Sequence, residues 1–317
     1  MYYIGIDLGG TNIAAGIVDD AHQLCYKLSI KTSMDQGFDG LCEDMAQLCR
    51  QLVKEMGIGL EEIKSVGIGC PGMINERTGE IVFSNNLDIY HENLVEKMEG
   101  LLWRPVYCAN DANAAALGEY AAGGGASASS LVAITLGTGV GSGIIIDGKM
   151  VGGFNYSGGE LGHMVIKVHG RRCTCGRRGC LETYASATGL IQSTKDAMLH
   201  DETTLLWDLV EGDLECVTGK TVFDAREQGD LVAAAVVEEY IGYLAVGLAN
   251  IVNAFQPEVI TIGGGISHQG DWLMAALQEK VDTQVFGRFG DKQTRIKRAQ
   301  LGNDAGIIGA ALLGSIY

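Results

Sequence analysis

Apolar residues along the chain follow two alternating patterns, one typical of strands and one typical of helices. Residues 3–7 and 13–18 are short apolar runs separated by glycines, which predicts two strands joined by a turn, and a third strand is predicted near 23–30. From 38 to 56 the apolar residues recur every three or four positions, which predicts an amphipathic helix. Further strands are predicted at 65–70, 105–108, 131–136, 144–147, 258–262 and 294–299, and further helices at 94–101, 111–122, 230–254, 271–282 and 304–315. This alternation indicates an α/β fold.

The order of strand, glycine turn and strand occurs twice, which suggests two domains. The chain has 317 residues, and a single hydrophobic core stops growing at about 250–300 residues. Residues 123–130, Gly-Gly-Gly-Ala-Ser-Ala-Ser-Ser, have the composition of a flexible linker. We therefore expect an N-terminal α/β domain over 1–122, completed by the C-terminal helix 304–317, and a second α/β domain over 123–303 that contains a cysteine-rich loop at 163–180. Two such lobes facing each other would leave a cleft.

Charge and composition narrow the class of protein. The chain carries 23 Lys and Arg against 39 Asp and Glu, a net charge of −16, which argues against a nucleic-acid partner. The apolar stretch 231–255 has Glu238 and Glu239 in its middle, which predicts a buried helix and no membrane partner. No export signal precedes the first strand, and the cysteines number nine, which is odd. We therefore expect a soluble cytoplasmic protein with reduced thiols.

Two glycine turns are candidates for binding phosphates. The first is Asp7-Leu8-Gly9-Gly10-Thr11-Asn12, in which two glycines would let backbone amides approach a phosphate and Thr11 could donate its hydroxyl proton. Asp7, at the end of the first strand, could hold Mg²⁺ through water. The second turn, Gly137-Thr138-Gly139, stands at the corresponding place in the second half. An ordinary glycine hairpin would explain either turn alone, whereas the pair predicts a clamp for a polyphosphate.

With Gly263-Gly264-Gly265 as a third glycine turn, the pair resembles the sugar kinase, actin and Hsp70 superfamily. The resemblance implies that the first two turns grip the phosphates of ATP and that Gly264 and Gly265 lie near its adenosine. The chain has no G-x-x-x-x-G-K-[ST] sequence, so it is not a P-loop protein. The glycines at 137–141 lead into more strand, and this argues against a dinucleotide-binding fold.

A second motif has the chemistry of a metal site. Cys173, Cys175 and Cys180 lie within eight residues, and His163 precedes the first of them by ten. One histidine and three cysteines form a closed tetrahedral zinc site, and four protein ligands leave no open position. We therefore predict a structural Zn²⁺. Three unrelated buried thiols are the alternative, and the spacing differs from that of a DNA-reading zinc finger.

Carboxylates form a third group of candidate residues. Asp111 follows Asn110 at a predicted strand-to-helix junction, and Glu160 and Glu182 flank the cysteine-rich loop. Phosphoryl transfer to a hydroxyl needs a carboxylate that orients the nucleophile and receives its proton. A sugar with many hydroxyls needs several such acceptors. Asp111 alone would be explained as a helix cap, but its companions favour a catalytic role.

Four motifs together identify a family. They are Asp7-Leu8-Gly9-Gly10-Thr11, Asn110-Asp111-Ala112-Asn113-Ala114, Gly159-Glu160-Leu161-Gly162-His163 and Cys173-x-Cys175-Gly176-x-x-Gly179-Cys180-x-Glu182. This set is similar to that of the ROK family of repressors, open reading frames and kinases, and the likeness runs from residue 4 to the last helix. It implies an α/β, two-lobed actin-like ATPase (ribonuclease H-like) fold with the active site in the interdomain cleft.

The resemblance also implies roles for single residues. Asp111 would be the catalytic base, and His163 would bind both hexose and zinc. The implied hexose contacts are Gly72, Asn86, Asn110, Asp111, Glu160, His163 and Glu182, and the implied nucleotide contacts are Asp7, Gly9, Gly10, Thr11, Asn12, Gly137, Thr138, Gly139, Gly264 and Gly265. In one place the chain departs from the family's glucokinases. They carry an aromatic residue two positions after the leucine that matches Leu87, where this chain has Ile89 followed by Tyr90.

The leading hypothesis is an ATP-dependent kinase that phosphorylates a hexose, glucose first, at its primary hydroxyl, with Mg²⁺ and a structural Zn²⁺. A kinase for N-acetylmannosamine or another hexose or amino sugar is the alternative. A sugar-sensing repressor of the family is less favoured, because repressors carry a winged-helix domain before the first turn. A non-catalytic sugar-binding protein would need a damaged Asp111 or damaged turns. We expect a homodimer or homotetramer.

Overall fold

The computed structural model describes residues 1–316, and within them the chain divides into two compact units. The first unit contains residues 1–133, 143–159 and those from 299 on, and the second contains 134–142 and 160–298. This division differs from the predicted boundary at 122/123, because segments 123–133 and 143–159 group with the first unit. Tyr317, the end of the predicted helix 304–317, lies outside the described residues.

The first unit is built on a five-stranded sheet of order β3-β2-β1-β4-β8. Its elements are β1 (Tyr2–Leu8), β2 (Asn12–Asp19), β3 (Leu24–Lys31), α1 (Gly37–Met56), β4 (Ile63–Cys70), α2 (Leu94–Leu102), β8 (Val106–Asn110) and α3 (Asp111–Ala122). Strand β1 pairs antiparallel with β2 and parallel with β4, which pairs parallel with β8. The carboxyl ends of β1, β4 and β8 therefore share one edge of the sheet.

The last helix, α10 (Ala305–Ile316), packs against this sheet and against α3. Two glycines permit the close approach. A Cβ added at Gly67 would fall 1.7 Å from the carbonyl oxygen of Ala310, and one added at Gly309 would fall 1.7 Å from that of Ala114. A larger side chain would push α10 away from the sheet at Gly67 and away from α3 at Gly309, since real Cβ atoms do not approach so closely.

A small three-stranded sheet of order β5-β6-β7 also belongs to the first unit. Its strands are β5 (Met73–Asn75), β6 (Glu80–Ser84) and β7 (Ile89–Asn93). The sequence did not predict this sheet, because the strands are short and the segment 73–93 is rich in polar turn residues. Together β6 and β7 present the loop that carries Asn86.

A second five-stranded sheet has the order β11-β10-β9-β12-β13. Its strands are β9 (Ser130–Leu136), β10 (Val140–Ile146), β11 (Lys149–Met150), β12 (Val259–Gly263) and β13 (Arg295–Arg298). The strand predicted over 144–147 begins earlier, at Val140, so the turn before it is only Gly137–Gly139. Glycine is depleted in strands, and Gly141 and Gly143 therefore concealed the start of β10.

Helices make up most of the second unit. They are α4 (Glu182–Ala185), α5 (Ala187–His200), α6 (Leu206–Leu209), α7 (Thr221–Glu227), α8 (Leu231–Phe255) and α9 (Asp271–Gln284). By length and composition α8 is the one helix of the described residues that could cross a membrane. Half of that apolar window is buried, and α8 packs against α4, α5, α7 and α9. Its apolar character is therefore explained by its place in this unit.

Candidate active site

The carboxyl edge of the first sheet carries several of the candidate site residues. Strand β8 ends at Asn110 and α3 begins at Asp111, as the sequence predicts. The helix cap is Asn110, however, whose side chain accepts hydrogen bonds from the amides of Ala112 and Asn113. The interpretation of Asp111 as the cap is therefore wrong. Asp111 is the first helical residue, and its Oδ1 accepts a hydrogen bond from the Ala112 amide at 2.9 Å.

Asp7 ends near the same edge, because β1 and β8 both pair parallel with β4. Burial, together with the negative charge of Asp111, raises the pKa of Asp7 to about 6. Burial also raises the pKa of Asp111. Because burial disfavours the charge of both carboxylates, and the charge of Asp111 adds to this effect at Asp7, a cation or a proton would stabilise the pair. We call Asp7, Asn110 and Asp111 the carboxylate edge.

Gly72 is tied to the carboxylate edge through its backbone. The side-chain amide of Asn110 donates a hydrogen bond to the Gly72 carbonyl at 3.1 Å. Gly72 has φ +109°, and a Cβ there would fall 2.2 Å from the Phe83 carbonyl oxygen. Only glycine fits, so the turn after β4 is fixed between Asn110 and the small sheet.

The first glycine turn is braced by Thr32. The Gly9 amide donates to the Asn12 carbonyl at 3.0 Å, and the Thr32 hydroxyl donates to the Gly9 carbonyl at 2.7 Å. Gly10, Thr11 and Asn12 are exposed. Their groups are therefore accessible to a ligand, and Thr32 is a supporting residue that the motif alone did not reveal.

Asn86 lies beside this turn, since a Cβ added at Gly10 would be 3.6 Å from the Asn86 Cβ. Asn86 is exposed, as is Tyr90, whose ring lies 6.0 Å from that of Phe83. Ile89, which stands at the position of the family's aromatic residue, is 2% exposed. The substitution therefore places an aliphatic side chain in the core and turns the aromatic residue to the surface of the small sheet.

In the second unit, the second glycine turn is held by α5. The Ala187 amide donates to the Gly137 carbonyl at 2.8 Å, and the Thr188 hydroxyl donates to the Thr138 carbonyl at 2.8 Å. Gly264 has φ +82°, and its position allows no Cβ because the Leu136 carbonyl oxygen would be 2.3 Å away. Gly265 begins a short 3₁₀ helix that runs to Gln269. Gly264 therefore places the third turn next to the strand that leads into the second.

Glu182 contacts the second turn directly. Its Oε2 accepts a hydrogen bond from the Val140 amide at 3.0 Å, and a Cβ added at Gly139 would fall 2.4 Å from the same oxygen. Its Oε1 lies 3.7 Å from the Cys173 Sγ. Sequence spacing linked Glu182 only to the cysteines, and the contact with the turn became visible only in the fold.

Glu160 is exposed and precedes a short 3₁₀ helix, Leu161–His163. The Leu161 amide donates to the Ser142 hydroxyl at 3.1 Å, and the His163 amide donates to the Glu160 carbonyl at 3.1 Å. Glu160 and His163 are therefore held on one short turn, with the Glu160 carboxylate free to meet solvent or ligand.

The four predicted metal ligands lie together. One ligand atom from each of His163, Cys173, Cys175 and Cys180 lies within 4.8 Å of all the others. The Cys173 Sγ is 3.5 Å from the His163 Nδ1, and the Cys175 and Cys180 sulfurs are 3.7 Å apart. Tetrahedral zinc, with bonds of about 2.3 Å to sulfur and about 2.0 Å to nitrogen, requires separations of about 3.5 Å and about 3.8 Å. The donor set and its spacing therefore fit Zn²⁺.

The thiols differ in their ease of ionisation. Burial raises the pKa of Cys180 to about 12, whereas a backbone hydrogen bond at Arg177 lowers the pKa of Cys175. A metal binds thiolates, so a bound cation would have to supply the charge that keeps Cys180 ionised. We call residues 163–180 the cysteine loop.

The chain is similar over its whole length to proteins of one family. The family model described as "ROK family" matches residues 3–315. The chain is 37% identical over 314 residues to a glucokinase of Halalkalibacterium halodurans, covering 98% of this chain and 94% of that one. It is 36% identical over 309 residues to a glucokinase of Thermotoga maritima, covering 97% and 95%. The crystal structure of a ROK family glucokinase from Streptomyces griseus with glucose and AMPPNP superimposes with a TM-score of 0.80 at 33% identity, covering 99% of both chains.

Proposed function

The chain belongs to the ROK family, and we propose that it transfers the terminal phosphoryl group of ATP to the primary hydroxyl of a hexose, glucose first. The observation that carries the proposal is the carboxylate edge. An aspartate with a raised pKa stands at a strand-to-helix junction, in a chain that covers nearly the full length of two glucokinases. The glucose and AMPPNP in the similar Streptomyces griseus structure support the choice of both substrates.

Asp111 is the proposed catalytic base. Phosphoryl transfer is in-line, and the carboxylate orients the hexose hydroxyl and receives its proton as the oxygen attacks. A raised pKa suits this role, because a carboxylate that holds a proton more tightly is a stronger base near neutral pH. The cap formed by Asn110 fixes the first turn of α3, and with it the backbone of Asp111.

The phosphates of ATP are assigned to the two glycine turns. Backbone amides of Gly9, Gly10, Thr11 and Asn12 in the first unit, and of Gly137, Thr138 and Gly139 in the second, are the proposed donors. Gly264 and Gly265 are assigned to the adenosine. Mg²⁺, held by Asp7 through water, would neutralise charge that develops on the transferring group.

Hexose hydroxyls are assigned to Asn86, Asn110, Glu160, His163 and Glu182, with Gly72 contributing its turn. Carboxylates accept charge-assisted hydrogen bonds from hydroxyls, which are stronger than neutral ones. The contact between Glu182 and the Val140 amide means that one oxygen of Glu182 is already committed to the second turn. The other oxygen, which faces Cys173, is the one proposed to bind the sugar.

A structural Zn²⁺ is proposed at His163, Cys173, Cys175 and Cys180, because the spacing of these donors fits tetrahedral coordination. The metal would cross-link the cysteine loop and takes no part in the transfer.

We place the reaction in the cytoplasm, as a first step of glycolysis. We also expect a homodimer or homotetramer. Light scattering of the purified protein would measure this oligomeric state.

A coupled assay across sugars tests the function. Purified protein with Mg²⁺ and ATP is supplied in turn with glucose, mannose, fructose, N-acetylglucosamine and N-acetylmannosamine, and the product is identified by NMR. We expect the highest kcat/KM with glucose and phosphate on the primary hydroxyl. Preference for an amino sugar by tenfold or more would reassign the substrate, and ADP formation without a sugar phosphate would refute the kinase.

A further inference from the structure

The cysteine loop has little regular structure of its own. Between His163 and Glu182 the described backbone forms only two isolated β-bridges, Val165 with Cys180 and Arg172 with Arg178. Backbone hydrogen bonds cross its base, where the Gly179 amide donates to the Arg171 carbonyl at 2.8 Å. Further backbone bonds, such as that from the Ile166 amide to the Gly179 carbonyl at 2.9 Å, also join the loop to itself. The side chains of the loop therefore matter for how it is held against the neighbouring helices.

Lys167 provides one such contact, since its ammonium donates to the Tyr243 hydroxyl of α8 at 2.9 Å. Arg171 provides the larger set. Its Nη1 lies within hydrogen-bond distance of the Thr183 and Gly189 carbonyls, at 3.3 and 3.2 Å, and of the Ser193 hydroxyl, at 3.0 Å. Its Nη2 forms an ion pair with Asp196 at 3.0 Å. These acceptors lie on α4 and α5. One guanidinium therefore joins the loop to two helices.

Tyr184 contacts both the side chain and the backbone of Arg171. The Arg171 guanidinium lies 5.1 Å from the centre of the Tyr184 ring, and the Arg171 amide donates to the Tyr184 hydroxyl at 2.7 Å. Tyr184 is 4% exposed. Both the main chain and the side chain of Arg171 are thus bound to a buried residue of α4.

The structure shows no such contacts with α4 or α5 for the other three arginines of the cysteine loop, within the described residues. Arg177 donates to the His163 carbonyl and Arg178 to the Gly170 carbonyl, both within the loop, and Arg172 is exposed. The four arginines carry the same charge, so charge does not distinguish Arg171. Its contacts with α4 and α5 do.

The two helices that Arg171 binds also carry groups of the proposed site. Helix α4 begins with Glu182, which accepts from the Val140 amide, and α5 begins with Ala187, which donates to Gly137. We propose that Arg171 is a positioning residue that fixes the cysteine loop relative to Glu182 and the second glycine turn. The inference rests on the proposed function, since it concerns how that site is kept in shape.

Arginine is required by the geometry of the acceptors. A guanidinium presents five N–H donors in a planar fork, whereas a lysine ammonium is a single point on a flexible chain. Lysine could reach Asp196 but could not also serve the two carbonyls and the ring. We therefore expect Arg171→Lys to restore only part of what Arg171→Met removes.

Hydrogen exchange of the whole protein tests the attachment without substrate. Arg171→Met is compared with Arg172→Met, which removes the same charge one residue away. Each lost hydrogen bond of a charged group changes an opening equilibrium by about tenfold or more, so we expect amides of 164–181 to exchange at least about tenfold faster in Arg171→Met, with Arg172→Met within about twofold of wild type. Equal exchange in the two variants would overturn the proposal.

Kinetics then separate positioning from a merely structural role. We expect Arg171→Met to raise the glucose KM about tenfold while kcat stays within about threefold, because Asp111 belongs to the other unit. Faster exchange with an unchanged glucose KM would overturn the positioning role.

If Arg171→Met does not fold, the double variant Asp196→Asn with Ser193→Ala removes two acceptors on α5. It must show the same pattern of faster exchange and raised glucose KM. A wild type inactive on every sugar would refute the proposed kinase, while the exchange comparison would still decide the role of Arg171.

Discussion

The carboxylate edge and the cysteine loop place their functional side chains by different means. Asp7 and Asp111 lie at the ends of strands in one sheet, where the backbone ladder and the Asn110 cap fix them. The cysteine loop has no ladder, and is fixed by the side chain of Arg171 and by the geometry of its four donors. The first region keeps two like charges close together, and the second brings together four groups that a cation would bind.

This difference predicts that the carboxylate edge serves the chemical step and that the cysteine loop serves sugar binding. Groups held rigidly with raised pKa values suit chemistry, where a proton must move at a defined atom. A loop held by side chains and by the proposed metal suits binding, because the order of the loop determines how much entropy is lost when a ligand binds. Substitutions in the carboxylate edge should therefore lower kcat, and substitutions in the cysteine loop should raise KM.

The largest effect is expected from Asp111→Asn. The amide keeps the shape of the side chain but cannot receive the proton, so kcat should fall by about 10²–10⁴-fold. Steady-state turnover with saturating glucose and ATP measures this. Asp88→Asn, which alters an exposed aspartate of the same unit, is the matched control and should leave kcat unchanged. A kcat above half that of the wild type would remove Asp111 from the chemistry.

Cys175→Ala should have the next largest effect. Losing one of four donors should lower the zinc content from one per chain towards zero and raise the glucose KM by about 10–100-fold. The ATP KM should rise less, because Ala187 and Thr188 also hold the second turn. Cys216→Ala, at an exposed thiol of the same unit, is the control. Metal analysis showing no zinc in the wild type would contradict the assignment.

The pH dependence of kcat/KM for ATP should show the raised pKa of Asp7. That parameter reports groups of the free enzyme, and Asp7 must be ionised to hold Mg²⁺. We expect kcat/KM to fall below a pH of about 6, the pKa of Asp7, rather than near pH 4. In Asp7→Asn this limb should disappear along with most activity. A profile flat down to pH 5 would show that Asp7 is not needed in its ionised form.

The smallest effect concerns stability. The folded state holds the proton of Asp7 more tightly than the unfolded state, so stability falls as the pH rises from 3.8 to about 6 and stays lower above that. Asp7→Asn should therefore raise the free energy of unfolding at pH 7.5 by about 1 kcal/mol, with solvent screening taken into account. Urea unfolding measures this, and the gain should vanish near pH 3.5. A gain of equal size at both pH values would contradict the linkage.

Much of this comparison could be predicted from the sequence, but only where the signal is local. The four proposed zinc ligands are close in the chain, and their residue types favour zinc. Asp111 could be placed at a strand end because β8 is apolar and α3 is rich in alanine. The cap could not be assigned, since Asn110 and Asp111 are both good capping residues and only the backbone decides between them.

Contacts between segments that are distant along the chain could not be predicted from the sequence. Nothing in the spacing of Glu182 and Val140 shows that they bond, because 42 residues separate them. Helix α5, which holds the second turn, was missed because Gly189 stands in its first turn and weakens the helical signal. In the sequence Arg171 cannot be distinguished from the other three arginines of the loop, because its contacts with α4 and α5 are visible only in the structure.

Calorimetric titration of glucose into Asp111→Asn and into Cys175→Ala is the measurement that best separates the chemical role of the carboxylate edge from the binding role of the cysteine loop. We expect Asp111→Asn to bind glucose within about threefold of the wild type, because only the proton acceptor is lost. We expect Cys175→Ala to bind glucose about 10–100-fold more weakly, because the loop is no longer fixed. Glucose binding that is lost in Asp111→Asn and retained in Cys175→Ala would refute the separate roles of the two regions.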